Sequence, residues 1–199
     1  MTAAAFGAAA LCLEYPDEAW RANLPLLERA AGSLSSPPLS RFVAYASASS
    51  AEEMTRGYVA TFDLRRRCCP YLTYYSFGDT RKRGMALLRF TAAYRAAGFT
   101  VGSGELPDHL AVVCEFATRR PQAGIRLLTQ HRAGLELLHL ALSEAASPYA
   151  EVTGTIRAAL PDPAPRDLAQ ALELARAGPP EEEVGLEPFA PPEYPGARR

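Results

Sequence analysis

Ser50-Ala51-Glu52-Glu53, followed by Met54, Tyr58 and Phe62, leaves this stretch little choice but a helix. The serine oxygen can accept from the backbone three residues on, and the glutamate can reach back to the serine N–H. Two donors that every helix start leaves unpaired are thereby satisfied. Apolar side chains at four-residue intervals then share one face. The same kind of signal recurs along the chain, and no segment alternates apolar and polar residues between hairpin turns. The fold class expected is all-α.

Breakers set the expected boundaries. Helices are predicted over Ala3–Leu13, stopping before Pro16, and over Asp17–Ala31, ending at Gly32. A loop over Ser33–Pro38 and a short helix over Leu39–Ala48 precede the capping box, whose helix runs through Leu64. Cys68–Gly78 is aromatic-rich, and Pro70 and Gly78 limit it to a turn or short helix. Asp79-Thr80 can cap a helix that closes at Gly98, Thr100–Gly104 connects, and Pro107 suits the first turn of a helix to about Thr118. The longest helix is expected over Gln122–Ala145, and Ser147-Pro148 opens one that ends near Leu160. Arg166–Ala177 places Leu168, Leu172 and Ala175 on one side. Residues 1–177 thus read as one helical domain. Residues 178–199, with their prolines and Glu181-Glu182-Glu183, read as a flexible tail carrying an apolar island of Val184, Leu186 and Phe189.

Composition narrows the function. The net charge is −1 and Lys82 is the only lysine, so the basic excess of a nucleic-acid binder is missing. Cys12, Cys68, Cys69 and Cys114 show no C-x-x-C spacing, and His109, His131 and His139 form no ligand pair, so no metal site is expected. No cofactor-binding motif appears, and the phosphate-binding G-x-x-x-x-G-K-[ST] loop of a nucleotide hydrolase is absent. Met1–Leu13 is apolar but too short to span a bilayer and lacks a basic leader, which places the chain in the cytoplasm without direct membrane insertion.

Two stretches stand out. Tyr58–Arg83 sets Tyr71, Tyr74, Tyr75 and Phe77 beside Arg65-Arg66-Arg67 and Arg81-Lys82-Arg83. The aromatics could be core with the arginines a solvated face, could line a groove for a peptide helix, or could stack single-stranded nucleic acid. Glu105-Leu106-Pro107-Asp108-His109 is the second. Helix capping explains Asp108, and partner binding is the alternative. Acid–base catalysis by Asp108 and His109 is disfavoured, because adjacent helical residues point about 100° apart and no nucleophile is placed to match.

The run YVATFDLRRRCCPYLTYYSFGDTRKRGMALLRF, the YRAAGF turn and ELPDHLAVVCEFA closely resemble the NarJ family, with LCLEYPDE, SPYAEV and EEEVGLEPF in the right order around them. This is the family of respiratory nitrate reductase assembly chaperones, or delta subunits, within the TorD/DmsD group of redox-enzyme maturation proteins. The group's Tyr-x-x-x-Phe helix corresponds to Tyr58 and Phe62, and its Glu-x-Pro-Asp-His motif to Glu105, Pro107, Asp108 and His109. The resemblance implies an all-helical, non-enzymatic chaperone. Its partner would be the catalytic (alpha) subunit of nitrate reductase, held by its N-terminal segment while molybdenum cofactor is inserted. It also implies an apolar groove drawn from Tyr58, Phe62, Tyr71, Tyr74 and Tyr75, with Asp79, Arg81, Glu105, Asp108 and His109 toward the partner. A chaperone of the same fold for another molybdoenzyme is the nearest alternative, and a helical nucleic-acid module a more distant one.

Overall fold

The computed structural model describes residues 2–102 and 104–178, and the expected tail from 179 onward lies outside the described residues. The α-helices are α1 Thr2–Cys12, α2 Glu18–Arg21, α3 Leu24–Leu34, α4 Pro37–Ala48, α5 Ala51–Tyr58, α6 Tyr74–Phe77, α7 Arg81–Ala96, α8 Leu110–Arg119, α9 Pro121–Gln130, α10 Arg132–Glu144, α11 Tyr149–Ala159 and α12 Pro165–Ala177. A π-helical turn, Val59–Asp63, continues α5, and a 3₁₀ turn, Arg66–Cys68, precedes α6. No strand occurs among the described residues, only a single antiparallel bridge between Tyr71 and His109. No described helix is long and apolar enough to cross a membrane.

Helix α1 is the hub. It is apolar on every side, a pattern that demands burial all round, and it packs against α8, α11 and α3. Its buried Ala5, Ala8, Ala9 and Ala10 keep those neighbours close while Phe6 and Cys12 fill the gaps. Trp20 fastens α2 to it by donating from its indole nitrogen to the Leu11 carbonyl at 2.7 Å. Tyr149 of α11 gathers the rings of Phe42, Tyr58 and Phe62, with centroids 5.2, 5.8 and 4.8 Å away. Helices α8 and α9 cross so tightly that a Cβ on Gly124 would stand 2.2 Å from the Ala117 Cα, a space only glycine can occupy.

Several boundaries depart from expectation. The single helix over Asp17–Ala31 is two, because Pro25 in the first turn of α3 has no N–H to continue a ladder through Asn23. The Ser33–Pro38 loop shrinks to Ser35 and Ser36: Ser35 takes φ 47° and Ser36 caps α4 through Leu39 N, leaving Pro37 to open the helix. The capping box forms as expected, with Glu53 N donating to Ser50 Oγ at 3.2 Å and Ser50 N to Glu53 at 2.8 Å. Thr80 sits at the start of α7, but its hydroxyl donates to Phe77 O instead of capping. The helix after Pro107 begins only at Leu110, because Leu106–His109 is committed to pairing with the aromatic stretch. The long Gln122–Ala145 helix is divided at His131, whose ring stacks on Phe90 at 4.6 Å. That bend also lets Gly134 approach the Leu72 carbonyl, where a Cβ would stand 2.7 Å away. Helix α12 keeps Leu168, Leu172 and Ala175 on one side, and that side faces outward: Leu168 is 49 % and Leu172 55 % exposed, while Ala171 is buried against α10.

Candidate functional site

The two stretches singled out in the sequence meet as one knot. Leu72 N donates to Asp108 O at 3.1 Å and Leu110 N to Pro70 O at 2.9 Å, so Pro70, which has no N–H of its own, contributes its carbonyl. The Asp108 carboxylate is fully buried. It accepts from Thr73 N at 3.1 Å and Thr73 Oγ1 at 2.5 Å, and Arg83 Nη2 lies 3.7 Å away. Arg83 also donates to Asp79 at 2.9 Å and lies over the Tyr71 ring at 5.3 Å. Tyr71 donates to Glu105 at 2.9 Å, and Tyr94 donates to the Pro107 carbonyl at 2.5 Å. The Tyr75 hydroxyl closes the loop on itself, within 2.9 Å of both the Arg67 and Cys69 carbonyls.

The residues of the expected partner-facing set fall in different surroundings. Asp108 neither caps α8 nor touches solvent: its carboxylate is spent on Thr73 and faces Arg83. The cap of α8 is His109, whose Nδ1 accepts from Ala111 N at 3.3 Å. Burial lowers the His109 pKa, against the opposing pull of Glu105 and Asp108, and the neutral ring keeps Nδ1 free to accept. Phe62 is core, packed on Tyr58 and Tyr149. Tyr74 and Tyr75 are only 3 % and 7 % exposed and offer no stacking face for bases. Asp79 is held by Arg83, and Arg66 lies 3.9 Å from it. Arg81 is exposed at the first turn of α7.

Tyr58, Glu105 and His109 border one groove, and Tyr74 and Tyr75 a second. The first, about 540 Å³, joins Tyr58, Glu105 and His109 to residues outside the expected partner-facing set: Leu11 in the last turn of α1, Leu13, Glu14 and Tyr15 just after it, and Val112 and Glu115 from α8. Its walls are apolar and its rim carries three carboxylates, of which Glu115 is paired with Arg119 at 2.7 Å. Burial, with Glu115 and Asp17 nearby, raises the Glu14 pKa. Burial, ahead of Asp63 and Glu105, pushes the Tyr58 phenol up to about 12, so it stays a neutral donor, bonded to Leu13 O at 3.3 Å. The second groove, about 460 Å³, lies between α10, α12 and the 3₁₀ turn, with Tyr74 and Tyr75 in its wall. The partners the sequence missed, Thr73 and Arg83 for Asp108 and the α8 face for Tyr58, carry no local signal because each lies tens of residues away from its contact. Among the described residues no three His, Cys, Asp or Glu side chains converge as metal ligands would.

The nitrate reductase delta subunit family matches residues 14–153, which takes in the knot and the first groove apart from its α1 side. The chain belongs to this family. Over 160 residues it is 32 % identical to the nitrate reductase molybdenum cofactor assembly chaperone NarJ described in Bacillus subtilis, covering 78 % of this chain and 87 % of that one. The NarJ of Escherichia coli K12 is 30 % identical over 145 residues, 69 % of this chain and 61 % of that protein. A 100-residue stretch is 49 % identical to the nitrate reductase-like protein NarX of Mycobacterium tuberculosis, half of this chain but only 15 % of that much longer protein. A crystal structure from Archaeoglobus fulgidus, described as a redox enzyme maturation protein, shares the fold with a TM-score of 0.62 over 78 % of this chain and 91 % of that one, at 23 % identity. For this delta-family chain, the expected all-α fold is the one observed.

Proposed function

We propose that this chain is an assembly chaperone for nitrate reductase. It holds the apo catalytic subunit by its N-terminal segment, supports molybdenum cofactor insertion before membrane docking, and catalyses nothing itself. The observation that carries the reading is the first groove: an apolar trough of about 540 Å³ whose border includes Tyr58, Glu105 and His109. An amphipathic helix laid in such a trough buries its apolar face, worth about 25 cal/mol per Å² before ordering costs. Glu14 and Glu105 give the rim a net negative sign beside the Glu115–Arg119 pair. The segment that fits is apolar on one face and carries Arg or Lys on the other. Membership of the delta family and likeness to the NarJ chaperones support nitrate reductase as the client's parent enzyme. Four unpaired cysteines suit a reducing compartment and support the cytoplasm as the place of action.

Calorimetric titration with a peptide from the N-terminus of the cognate catalytic subunit tests the proposal. Saturable micromolar binding is expected, weakened at least tenfold by Tyr58→Ala and by raised salt. Absence of binding to the natively folded chain, or binding indifferent to both changes, refutes this site.

A further inference from the structure

The second groove has apolar walls between charged ends. Leu137, Leu140 and Ala141 of α10 form one wall, Leu174 of α12 the other, and Leu140 is 49 % exposed. Arg66 and Arg67 stand at one side, and Glu144 is the one acidic group of the lining among the described residues. Gly178 ends α12 with φ 73° and itself borders the groove. Twenty-one residues, 179–199, follow from that rim.

We propose that this groove is the seat of the chain's own C-terminal segment, with Val184, Leu186 and Phe189 against Leu137, Leu140 and Leu174, and Glu181-Glu182-Glu183 toward Arg66 and Arg67. Reach permits it: the six residues 179–184 span at most about 20 Å when extended, and they start on the groove's edge. Charge favours it, because carboxylates and guanidinium groups form strong paired hydrogen bonds. The same charge sets the orientation, since the glutamate run is repelled by Glu144 and drawn to the arginines. The tether does the rest. A segment joined by so short a link sits at an effective concentration in the millimolar range, so a contact with a free-peptide Kd of about 0.1 mM keeps the groove about nine-tenths filled. This inference goes beyond the client reading and does not depend on it.

The test is calorimetric titration of a synthetic 179–199 peptide into the full chain and into a full-chain variant carrying Val184→Ala, Leu186→Ala and Phe189→Ala. The variant, its groove vacated, binds the peptide saturably. The unaltered chain binds at least tenfold more weakly, because its own segment competes. Adding Leu140→Arg to the triple variant abolishes peptide binding at unchanged helix content by circular dichroism, and adding Arg67→Gln weakens it and flattens its salt dependence. Equal binding by the unaltered chain and the triple variant overturns the assignment, as does no binding by the triple variant or binding indifferent to Leu140→Arg. A dimer in sedimentation equilibrium that the triple variant dissolves also overturns it, in favour of a second copy's segment. A catalytic-subunit peptide whose binding is lost on Leu140→Arg overturns it in favour of the client.

Discussion

Replacing Asp108 with alanine separates two roles that a binding assay alone would confuse. The carboxylate is fully buried, accepts two hydrogen bonds from Thr73, and faces Arg83, whose side chain is 14 % exposed. Removing one member of a buried ion pair strands the other and costs about 3–5 kcal/mol. Here Asp79 still holds Arg83 at 2.9 Å, though from a side chain 64 % exposed, so the lower end applies. The expectation for Asp108→Ala is therefore a loss of about 3 kcal/mol in urea unfolding, which for a domain of this size lowers Tm by about 6–12 °C. Asp108→Asn keeps the shape and loses the charge, and falls between. In a double-mutant cycle with Arg83→Met, the pair shows a coupling of about 1–3 kcal/mol. If Asp108→Ala melts within about 2 °C of the parent and nonetheless binds the client peptide tenfold more weakly, the buried-latch account is refuted and the carboxylate acts on the partner directly.

Gly84→Ala and Gly124→Ala have opposite signs in the same assay. A Cβ on Gly84 meets nothing within 4 Å, so alanine there gains about 0.5–1 kcal/mol of helix propensity, whereas on Gly124 it meets the Ala117 backbone at 2.2 Å. That clash costs about 1–3 kcal/mol or more and outweighs the same gain. Acid lability follows from His131, whose pKa is lowered from 6.5 to about 4, chiefly by burial. A histidine that resists protonation when folded stabilises the protein above its unfolded pKa. That stability is lost as pH falls from about 6.5 toward 4, by about 3 kcal/mol in all, and His131→Phe flattens the urea midpoint over this window. Glu136 is placed between Arg132 and Arg157 at 2.6 and 2.8 Å, and its pKa is lowered by those arginines despite burial. Its contribution is present above pH 4.5 and disappears further into acid, so Glu136→Gln destabilises the chain at pH 7 and less at pH 3, as paired thermal melts would register.

Local patterns determined more of the fold than of the site. The capping box at Ser50, the four-residue spacing of Met54, Tyr58 and Phe62, and the apolar run of α1 specify helices through short-range backbone chemistry, which sequence carries directly. The motif residues also fall together in space, since Tyr58, Glu105 and His109 share a groove. Which motif residue faces outward is a different kind of question. Asp108 and His109 are neighbours in sequence, yet one is sealed against Thr73 and Arg83 and the other borders the groove, because the segment before α8 pairs with Pro70–Leu72 and turns alternate side chains to opposite sides. The division of the long helix at His131 and the outward turn of Leu168 and Leu172 have the same origin. Each depends on what distant segments leave free to be covered, and burial against a distant partner has no signature in the residues on either side of it.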